Sequence, residues 1–503
     1  MGGWRVTALY ASESRTRPLS NLLTGLVSLD PDVASIAVSN LTLDSRKVES
    51  GSLFIAMRGN KADGRDYVSH AMNSGAAAVL VENDIKGIDH FNGICLAIPD
   101  LRSKVGVIAD RFFDHPSSHL FVIGVTGTNG KTSCAFLLTQ ALNALGKKSG
   151  FIGTTGWGFD GNLQKSELTT PDSITLQSQL SQLVIAGAQG VCLEVSSHAL
   201  DQRRVEGVEF SSAIFTNLGR DHLDYHKSIE RYKDAKFLLF QRSQLKSAII
   251  NISDPVGAEF AAKKIDARLW TFGNSPKASV YPLKINQDQN GIALLLNTPV
   301  GKIQFSCALH GNFNIANLLA VATTLVAEGY SAEQIGSAMS GLTPVEGRME
   351  FCHGLGEQSP RVVIDYAHSP DALSAVLQSI RSMTAGQIWC VFGCGGDRDK
   401  GKRSLMGQAA SMFADRTVLT NDNPRNEDPS SILDSILAGM NRSPDAVIED
   451  RKSAIKFAID SAGADDTVLI AGKGHENRQL ISDEELPFND REVVETMLGV
   501  SRC

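Results

Sequence analysis

The sequence has 503 residues and lacks several features that whole classes of function require. No apolar run approaches the ~18 residues of a membrane span, so membrane insertion is not expected. Basic charge is not in excess. The 48 Lys and Arg are outnumbered by 55 Asp and Glu, and the net charge of −7 argues against a general nucleic-acid binder. There is no C-x-x-C among the eight cysteines, and Cys390 and Cys394 form the only close pair. A cysteine metal site is therefore not expected, and free thiols in a reducing compartment are. The N-terminal stretch "MGGWRVTALYASESRTRPL" has basic residues but no continuous apolar core, which makes it a poor secretory signal. No short-period repeat and no low-complexity segment appear. The hydrophobic fraction of 42% is ordinary for a chain with a full core. At ~100–200 residues per domain, the length predicts about three domains.

The first positive signal is "VIGVTGTNGKTS", Val122 to Ser133. Residues 121–125 read as a buried strand, and residues 131–145, "KTSCAFLLTQALNAL", as an amphipathic helix. A strand, a glycine turn and a helix N-terminus together aim backbone N–H groups at an anion. Gly130, Lys131 and Thr132 complete the end of a phosphate-loop pattern, although Val125 stands where its first glycine is expected and Gly127 supplies a glycine instead. Lys131 would reach terminal phosphates, and Thr132 or Ser133 would touch Mg²⁺. The blander reading is a glycine turn ahead of an ordinary helix.

The coarse pattern is α/β throughout. Residues 1–115 alternate strand, helix and strand ("SLFIAM", "DYVSHAMNSG", "AAAVLVE"), and "FFDHPSSHL" is a breaker-rich joint. From 116 to 343 buried parallel strands and helices alternate around the phosphate loop, in "AQGVCLEVSSHAL", "FSSAIFTNL" and "KSAIINIS". After "GLTPVEGRMEF" the βα rhythm resumes over 344–503 in a six-element Rossmann-like layout. The expected domains are 1–115, 116–343 and 344–503.

Polar clusters fall at the C-terminal ends of the predicted parallel strands, where α/β sheets place ligands. One holds Glu194, Ser196, Ser197 and His198. Another holds Asn217, Asp221, His222, Asp224 and His226. Carboxylates and imidazoles so placed suit Mg²⁺ around a nucleotide; helix caps and surface loops are the alternative. Asn314 and Asn317, at i and i+3 near a helix start, can hydrogen-bond a purine edge or merely cap and solvate the helix. The last third has four such strand ends: Asp365, Tyr366 and His368; Asp397, Arg398, Lys400, Lys402 and Arg403; Asp422, Asn423, Pro424 and Arg425; and Gly472, Lys473, His475 and Glu476. Their mixed charge suits a zwitterion such as an amino acid, with carboxylate to Arg and ammonium to Glu or Asp.

Together "GVTGTNGKTS", "EVSSHAL", "TNLGRDHLDYH", "YKDAKFLLF", "HGNFNIAN", "PVEGRME", "DYAHSPDAL", "GCGGDRDKGKR" and "DNPRNEDP" resemble the Mur ligases. Within that family they are most similar to the type that adds 2,6-diaminopimelate to a UDP-muramoyl-dipeptide. The resemblance runs from about residue 40 to the C-terminus, and the family's T-G-T-N-G-K-[ST] loop needs no glycine at Val125. It implies domains for the UDP moiety, ATP and the incoming amino acid. It implies that ATP phosphorylates the D-glutamate γ-carboxylate and that diaminopimelate's amine attacks the acyl phosphate. Such a reaction serves peptidoglycan precursor synthesis, and hence cell-wall growth and division, in a bacterial cytoplasm. A monomer with small-molecule substrates is expected, without nucleic acid.

The resemblance also assigns residues. Gly127, Thr128, Asn129, Gly130, Lys131, Thr132 and Ser133 would hold ATP phosphates, with Asn317, Arg348 and Asp365 at adenine, phosphate and ribose. Thr132, Glu194, His222 and Lys236 would hold Mg²⁺, the last as a carbamate, and Lys131, Glu194, His222 and Lys236 would be catalytic. Taken alone, Lys236 is a helix-face lysine; a bare ammonium beside Mg²⁺ would be repelled, whereas a carbamate offers anionic oxygens. Leu43 and Ser45 would meet the UDP end. Thr169, Thr170, Ser196, Gln202 and Arg204 would meet the muramoyl-dipeptide, with Leu168 standing where Asn is expected. Arg398, Asp422, Asn423, Pro424, Arg425, Gly472 and Glu476 would form the diaminopimelate pocket. Two other readings remain: a folate polyglutamate synthetase of the same superfamily, and a non-catalytic phosphate-loop protein. The first shares the ATP machinery but not "DNPR" or "LDSR"; the second leaves the charged C-terminal crevice unexplained.

Overall fold

The computed structural model describes residues 15–59, 62–82, 93–288, 290–354, 359–482 and 484–500. The segment read as a poor secretory signal lies outside these residues up to position 14. The chain forms two compact units: 1–124, 146–212 and 242–246 make the first, and 125–145, 213–241 and 247–503 the second.

In the first unit, strands Asn40–Thr42, Ser52–Ala56, Ala78–Glu82 and Cys95–Ile98 pair in chain order, all parallel. Leu53 and Ile55 face one side of this sheet and Phe54 and Ala56 the other, each within its own apolar cluster. Burial on both faces explains why these strands read as continuous apolar runs. The same unit holds strand Ser149–Gly153 between parallel Gly190–Glu194 and antiparallel Gly156–Phe159.

The second unit contains the helix Lys131–Ala144, parallel strands Ser247–Asn251 and Arg268–Phe272, and the C-terminal sheet. That sheet runs Glu350–His353, Arg361–Asp365, Thr467–Ala471, Ile388–Phe392, Arg416–Leu419, Ala446–Val447, antiparallel at the first pair and parallel elsewhere. Its helices cover two apolar faces, built around Val363, Phe392 and Leu469 on one side and Ile364, Val391 and Ile470 on the other. Strand Thr467–Ala471, last of the parallel set in sequence, lies between the first two. The loop ends of Arg361–Asp365, Thr467–Ala471, Ile388–Phe392 and Arg416–Leu419 are thereby gathered along one edge.

Two expectations need correction. Residues 281–307 are not βα material but a three-stranded antiparallel meander, Tyr281–Asp288, Gly291–Thr298 and Gly301–Cys307. The strand in "AQGVCLEVSSHAL" ends at Glu194 as read, and Ser196 then caps a new helix, Ser197–Asp201, through its side chain. Six described cysteines are free, but Cys352 is disulfide-bonded, against the expectation of free thiols. Among the described residues no helix is long and apolar enough to cross a membrane.

Candidate active site

In the second unit the phosphate loop leads into a helix that begins at Lys131, with left-handed Gly130 (φ 83°) as a cap that offers no side chain. A helix that opens without a capping side chain aims its first backbone N–H groups in the direction that suits an anion. Glycine is required twice in the loop. A Cβ on Gly127 would stand 1.8 Å from Thr216 Oγ1, and one on Gly130 would stand 2.6 Å from Asn317 Oδ1. The loop is pinned by neighbours. Asn217 Oδ1 accepts from the Asn129 N–H at 3.0 Å, and Thr216 Oγ1 donates to the Asn129 carbonyl at 2.6 Å. Lys131 Nζ folds back over the loop, donating to the carbonyls of Gly127 and Thr128 at 2.9 Å each. Arg348 donates to Thr132 Oγ1 at 3.3 Å. Asp365 is buried and accepts from the N–H groups of Met349 (2.8 Å) and Ala367 (2.7 Å). Its burial raises the carboxyl pKa, against the pull of Arg348. Asn317 lies beside the loop, donating to Asn314 Oδ1 at 2.8 Å.

Lys236 sits under this loop. Its side chain is 1% exposed, Nζ donates to the Gly127 carbonyl at 2.7 Å, and the Tyr232 ring centroid is 4.3 Å away. Burial first, then the Lys131 charge, hold its ammonium well below the ordinary lysine range. The helix Ile229–Phe237 carries this lysine on its inner face, where burial disfavours the charged ammonium. His222 is left-handed (φ 55°), with Nε2 3.4 Å from Asp221 Oδ2. Burial opposes the charge of Asp221, but His222, His368 and Lys402 outweigh it and bring its pKa to about 2. Asp221, His368 and Lys402 were legible only as members of polar runs. Nothing in their spacing brings together residues so far apart in sequence. No three His, Cys, Asp or Glu side chains cluster as metal ligands among the described residues. Mg²⁺ at nucleotide sites takes one or two protein ligands and completes its shell with phosphate and water, so a hydroxyl such as Thr132 and single acidic or imidazole groups fit it.

In the first unit a separate network holds six of the expected residues. Glu194 is fully buried; Oε1 accepts from the Thr154 N–H (2.8 Å) and Oε2 from its hydroxyl (3.3 Å). A Cβ on Gly153 would come within 2.2 Å of Glu194 Oε1, so glycine makes room for this carboxylate. Thr154 Oγ1 also pairs with Thr169 Oγ1 at 3.0 Å, accepting from that hydroxyl while its own proton goes to Glu194. Thr170 donates to the Glu194 carbonyl (2.7 Å) and accepts from the Ser196 N–H (3.0 Å). Arg204 joins the Thr170 carbonyl (2.9 Å) to Gln202 Oε1 (2.6 Å). Leu168 is 46% exposed. Leu43 packs on the N-terminal apolar core, and Ser45 is buried at the start of the turn Ser45–Lys47.

The C-terminal sheet edge, in the second unit, carries the last cluster. Arg425 is left-handed (φ 53°) and is held by its backbone: its N–H donates to Leu480 O (3.0 Å) and its carbonyl accepts from Ser482 (2.7 Å). Its guanidinium reaches the Gly396 carbonyl at 2.8 Å. Burial and then the Arg398 charge lower its pKa, while Asp422 and Glu476 oppose them. Arg398 lies nearby: a Cβ on Gly395 would stand 2.9 Å from Arg425 Nη1 and 3.7 Å from Arg398 Cγ. A Cβ on Gly472 (φ 117°) would stand 2.5 Å from Asp422 Oδ2. Asn423 donates to Glu476 Oε2 at 2.8 Å, and Pro424 presents Arg425. Sequence reasoning passed over two groups here, Arg451 and Asp490, whose side chains pair in full burial.

Three family models match the chain in order: "Mur ligase family, catalytic domain" over 37–102, "Mur ligase middle domain" over 125–325, and "Mur ligase, glutamate ligase domain" over 347–474. A UDP-N-acetylmuramoyl-L-alanyl-D-glutamate–2,6-diaminopimelate ligase from Chromobacterium violaceum is 44% identical over 490 residues, 95% of this chain and 99% of that one. The enzyme of the same name from Coxiella burnetii is 43% identical, over 91% of this chain and 95% of that one. A solved structure bearing this enzyme name superposes with a TM-score of 0.69 at 34% identity, covering 96% and 99% of the two chains. A Mycobacterium tuberculosis folylpolyglutamate synthase superposes at 0.63 with 18% identity over 80% of this chain and 96% of that one, a likeness of fold. Matched in order by these three family models, and 44% identical to such a ligase over 95% of its length, the chain belongs to the Mur ligase family.

Proposed function

We propose that the chain is an ATP-dependent ligase. It joins the amine of meso-2,6-diaminopimelate to the D-glutamate γ-carboxylate of UDP-N-acetylmuramoyl-L-alanyl-D-glutamate. The observation that carries the amino-acid choice is that Arg425 and Arg398 both lie against Gly395, within the field of Glu476, a charge pattern complementary to a diamino dicarboxylate. The full-length similarity to ligases of that name supports the rest. The proposed domains are 1–115 for the UDP moiety, 116–343 for ATP, and 344–503 for the amino acid.

A carboxylate is a poor electrophile, and the first task is to activate it. In the proposed mechanism one γ-carboxylate oxygen attacks the γ-phosphorus of ATP, and ADP leaves. Gly127 to Ser133 hold the phosphates, while Lys131 exchanges its two loop carbonyls for the charge that develops in transfer. Arg348 stands at Thr132 to meet the phosphates from the other side. The residues proposed for Mg²⁺ are Thr132, Glu194, His222 and the carbamate of Lys236; the ion supplies charge neutralisation when bound. Thr169, Thr170, Ser196, Gln202 and Arg204 place the dipeptide, and Leu43 and Ser45 the UDP end. The diaminopimelate amine then attacks the acyl carbon. The tetrahedral intermediate expels phosphate, and the nitrogen gives up one proton, which the departing phosphate takes up, as the amide forms. Binding and orientation supply most of the acceleration.

The discriminating experiment offers UDP-muramoyl-dipeptide or a folate as the carboxylate substrate and follows phosphate release with diaminopimelate or glutamate present. Release only with the UDP-dipeptide and diaminopimelate supports the proposal. Release with folate and glutamate would replace it.

A further inference from the structure

Lys473 has no part in the mechanism above, yet it is a fully enclosed cation beside the amino-acid residues. It follows Gly472 at the end of strand Thr467–Ala471. Its side chain is 0% exposed, while that of its partner Glu476 is 28% exposed. Lys473 Nζ donates to Asn423 Oδ1 at 3.0 Å and to Glu476 Oε2 at 2.9 Å. The Asn423 amide closes the triangle by donating to the same Glu476 oxygen at 2.8 Å. Asn423 Oδ1 also accepts from the Leu480 N–H at 3.0 Å.

This arrangement decides two orientations. Asn423 Oδ1 has two lone pairs and both are used, so the amide oxygen points inward. A flipped amide would set its NH₂ against an ammonium and a backbone N–H, two donor–donor contacts in a buried place. Glu476 Oε2 is likewise anchored by two donors, whereas no hydrogen bond reaches its Oε1 among the described residues. One carboxylate oxygen is thus fixed and the other is presented on the exposed side. A compact ammonium with three donors can occupy this fully closed spot, while a guanidinium fork is wider and planar.

We propose that Lys473 is the positioning residue of the amino-acid pocket: without touching the amino acid, it fixes the Asn423 amide and the Glu476 carboxylate in the arrangement that receives the substrate's ammonium. This rests on the diaminopimelate reading of the pocket. Holding both side chains before binding removes an ordering cost that the ligand would otherwise meet, so the effect belongs in affinity for one substrate.

The test uses full-length Lys473→Met, Glu476→Gln and the double variant, with product formation followed as diaminopimelate, ATP and UDP-dipeptide are varied in turn. Lys473→Met is expected to raise the diaminopimelate KM by ~10–100-fold, the range for losing an outer-layer partner. The KM values for ATP and UDP-dipeptide should stay within about twofold. The double variant should lose less than the product of the two single effects, because Lys473 acts through Glu476. It also removes the Glu476 charge that Lys473 balances, and buried Asp422 keeps the Arg451 and Lys402 charges, so it reports even where Lys473→Met folds poorly. An unchanged diaminopimelate KM, proportional rises for all three substrates, or fully multiplicative losses would each overturn the proposal. A native enzyme that makes no diaminopimelate-dependent product would instead overturn the reading of the pocket, before any variant is compared.

Discussion

Asp490→Asn is the substitution whose effect follows most directly from geometry. Arg451 and Asp490 are both 0% exposed, and Arg451 Nε and Nη2 donate to the two Asp490 oxygens at 2.8 Å each. The same guanidinium donates to the Ala471 carbonyl at 3.0 Å and the Asn421 carbonyl at 3.4 Å. Ala471 ends one strand of the C-terminal sheet and Asn421 lies two residues beyond the end of another, just before Gly472 and Asp422. An amide in place of the carboxylate leaves a buried cation without its counter-charge, a loss of ~3–5 kcal/mol. Against a typical domain stability of ~5–15 kcal/mol, that is a large fraction. Arg451→Met with Asp490→Leu removes both charges at similar volume and should fall within about 1 kcal/mol of the native protein or exceed it, because neither charge then needs compensation. Hydrogen-exchange mass spectrometry on peptides covering 361–365 and 467–471 reads the opening energy of this sheet itself. The single variant should exchange there several hundred-fold faster or more, and the double should return toward native rates. A single variant within about 1 kcal/mol of native, or a double no better than the single, would refute the reasoning.

Four further outcomes are expected. Lys131→Ala should abolish amide formation while leaving circular dichroism and the urea midpoint near native; turnover near native would remove the lysine from phosphate transfer. Native mass spectrometry in bicarbonate should find one CO₂ on Lys236, absent in Lys236→Met, and Lys236→Glu should retain part of the activity; an unmodified Lys236 in an active enzyme would exclude the carbamate. Arg425→Ala should raise the diaminopimelate KM sharply and narrow its advantage over lysine, with ATP binding by calorimetry unchanged, since guanidinium–carboxylate pairing is lost. Glu427 titrates in acid. Its hydrogen bond from Arg403, acting against burial and helped by the Asp397 N–H and Lys400, brings its pKa from 4.5 to about 2. A depressed carboxyl stabilises the fold above its unfolded pKa and loses that effect as pH falls through 4.5 toward 2. The stability gap between native and Glu427→Gln should shrink over that interval in urea titrations, and a gap that stays constant would show that Glu427 is not responsible.

The phosphate loop was legible because its strand, glycines and helix are contiguous, and each part has a local physical signature. The C-terminal sheet was legible for the same reason, one βα unit at a time. The meander at 281–307 was missed although Ile292, Leu294 and Leu296 alternate inward, because "IALLL" reads as one apolar run. Lys236 reads as a helix-face lysine in sequence; only the packing of Gly127 over it shows the burial that sets its chemistry. Lys473 was visible at a strand end, but its partner Asn423 lies 50 residues earlier. Arg451 and Asp490, 39 residues apart, carry no local signal at all. Motifs report what is adjacent in sequence, whereas these groups are brought together by strand order.

The ligase assignment meets its most direct test in an oxygen-transfer measurement. UDP-muramoyl-dipeptide labelled with ¹⁸O in the D-glutamate γ-carboxylate is incubated with ATP, Mg²⁺ and diaminopimelate, and both products are read by mass spectrometry. An acyl phosphate requires one labelled oxygen to leave with phosphate in each turnover, together with a tripeptide product that appears only when the amino acid is present. Phosphate without label, or ATP hydrolysis with no tripeptide, would contradict it.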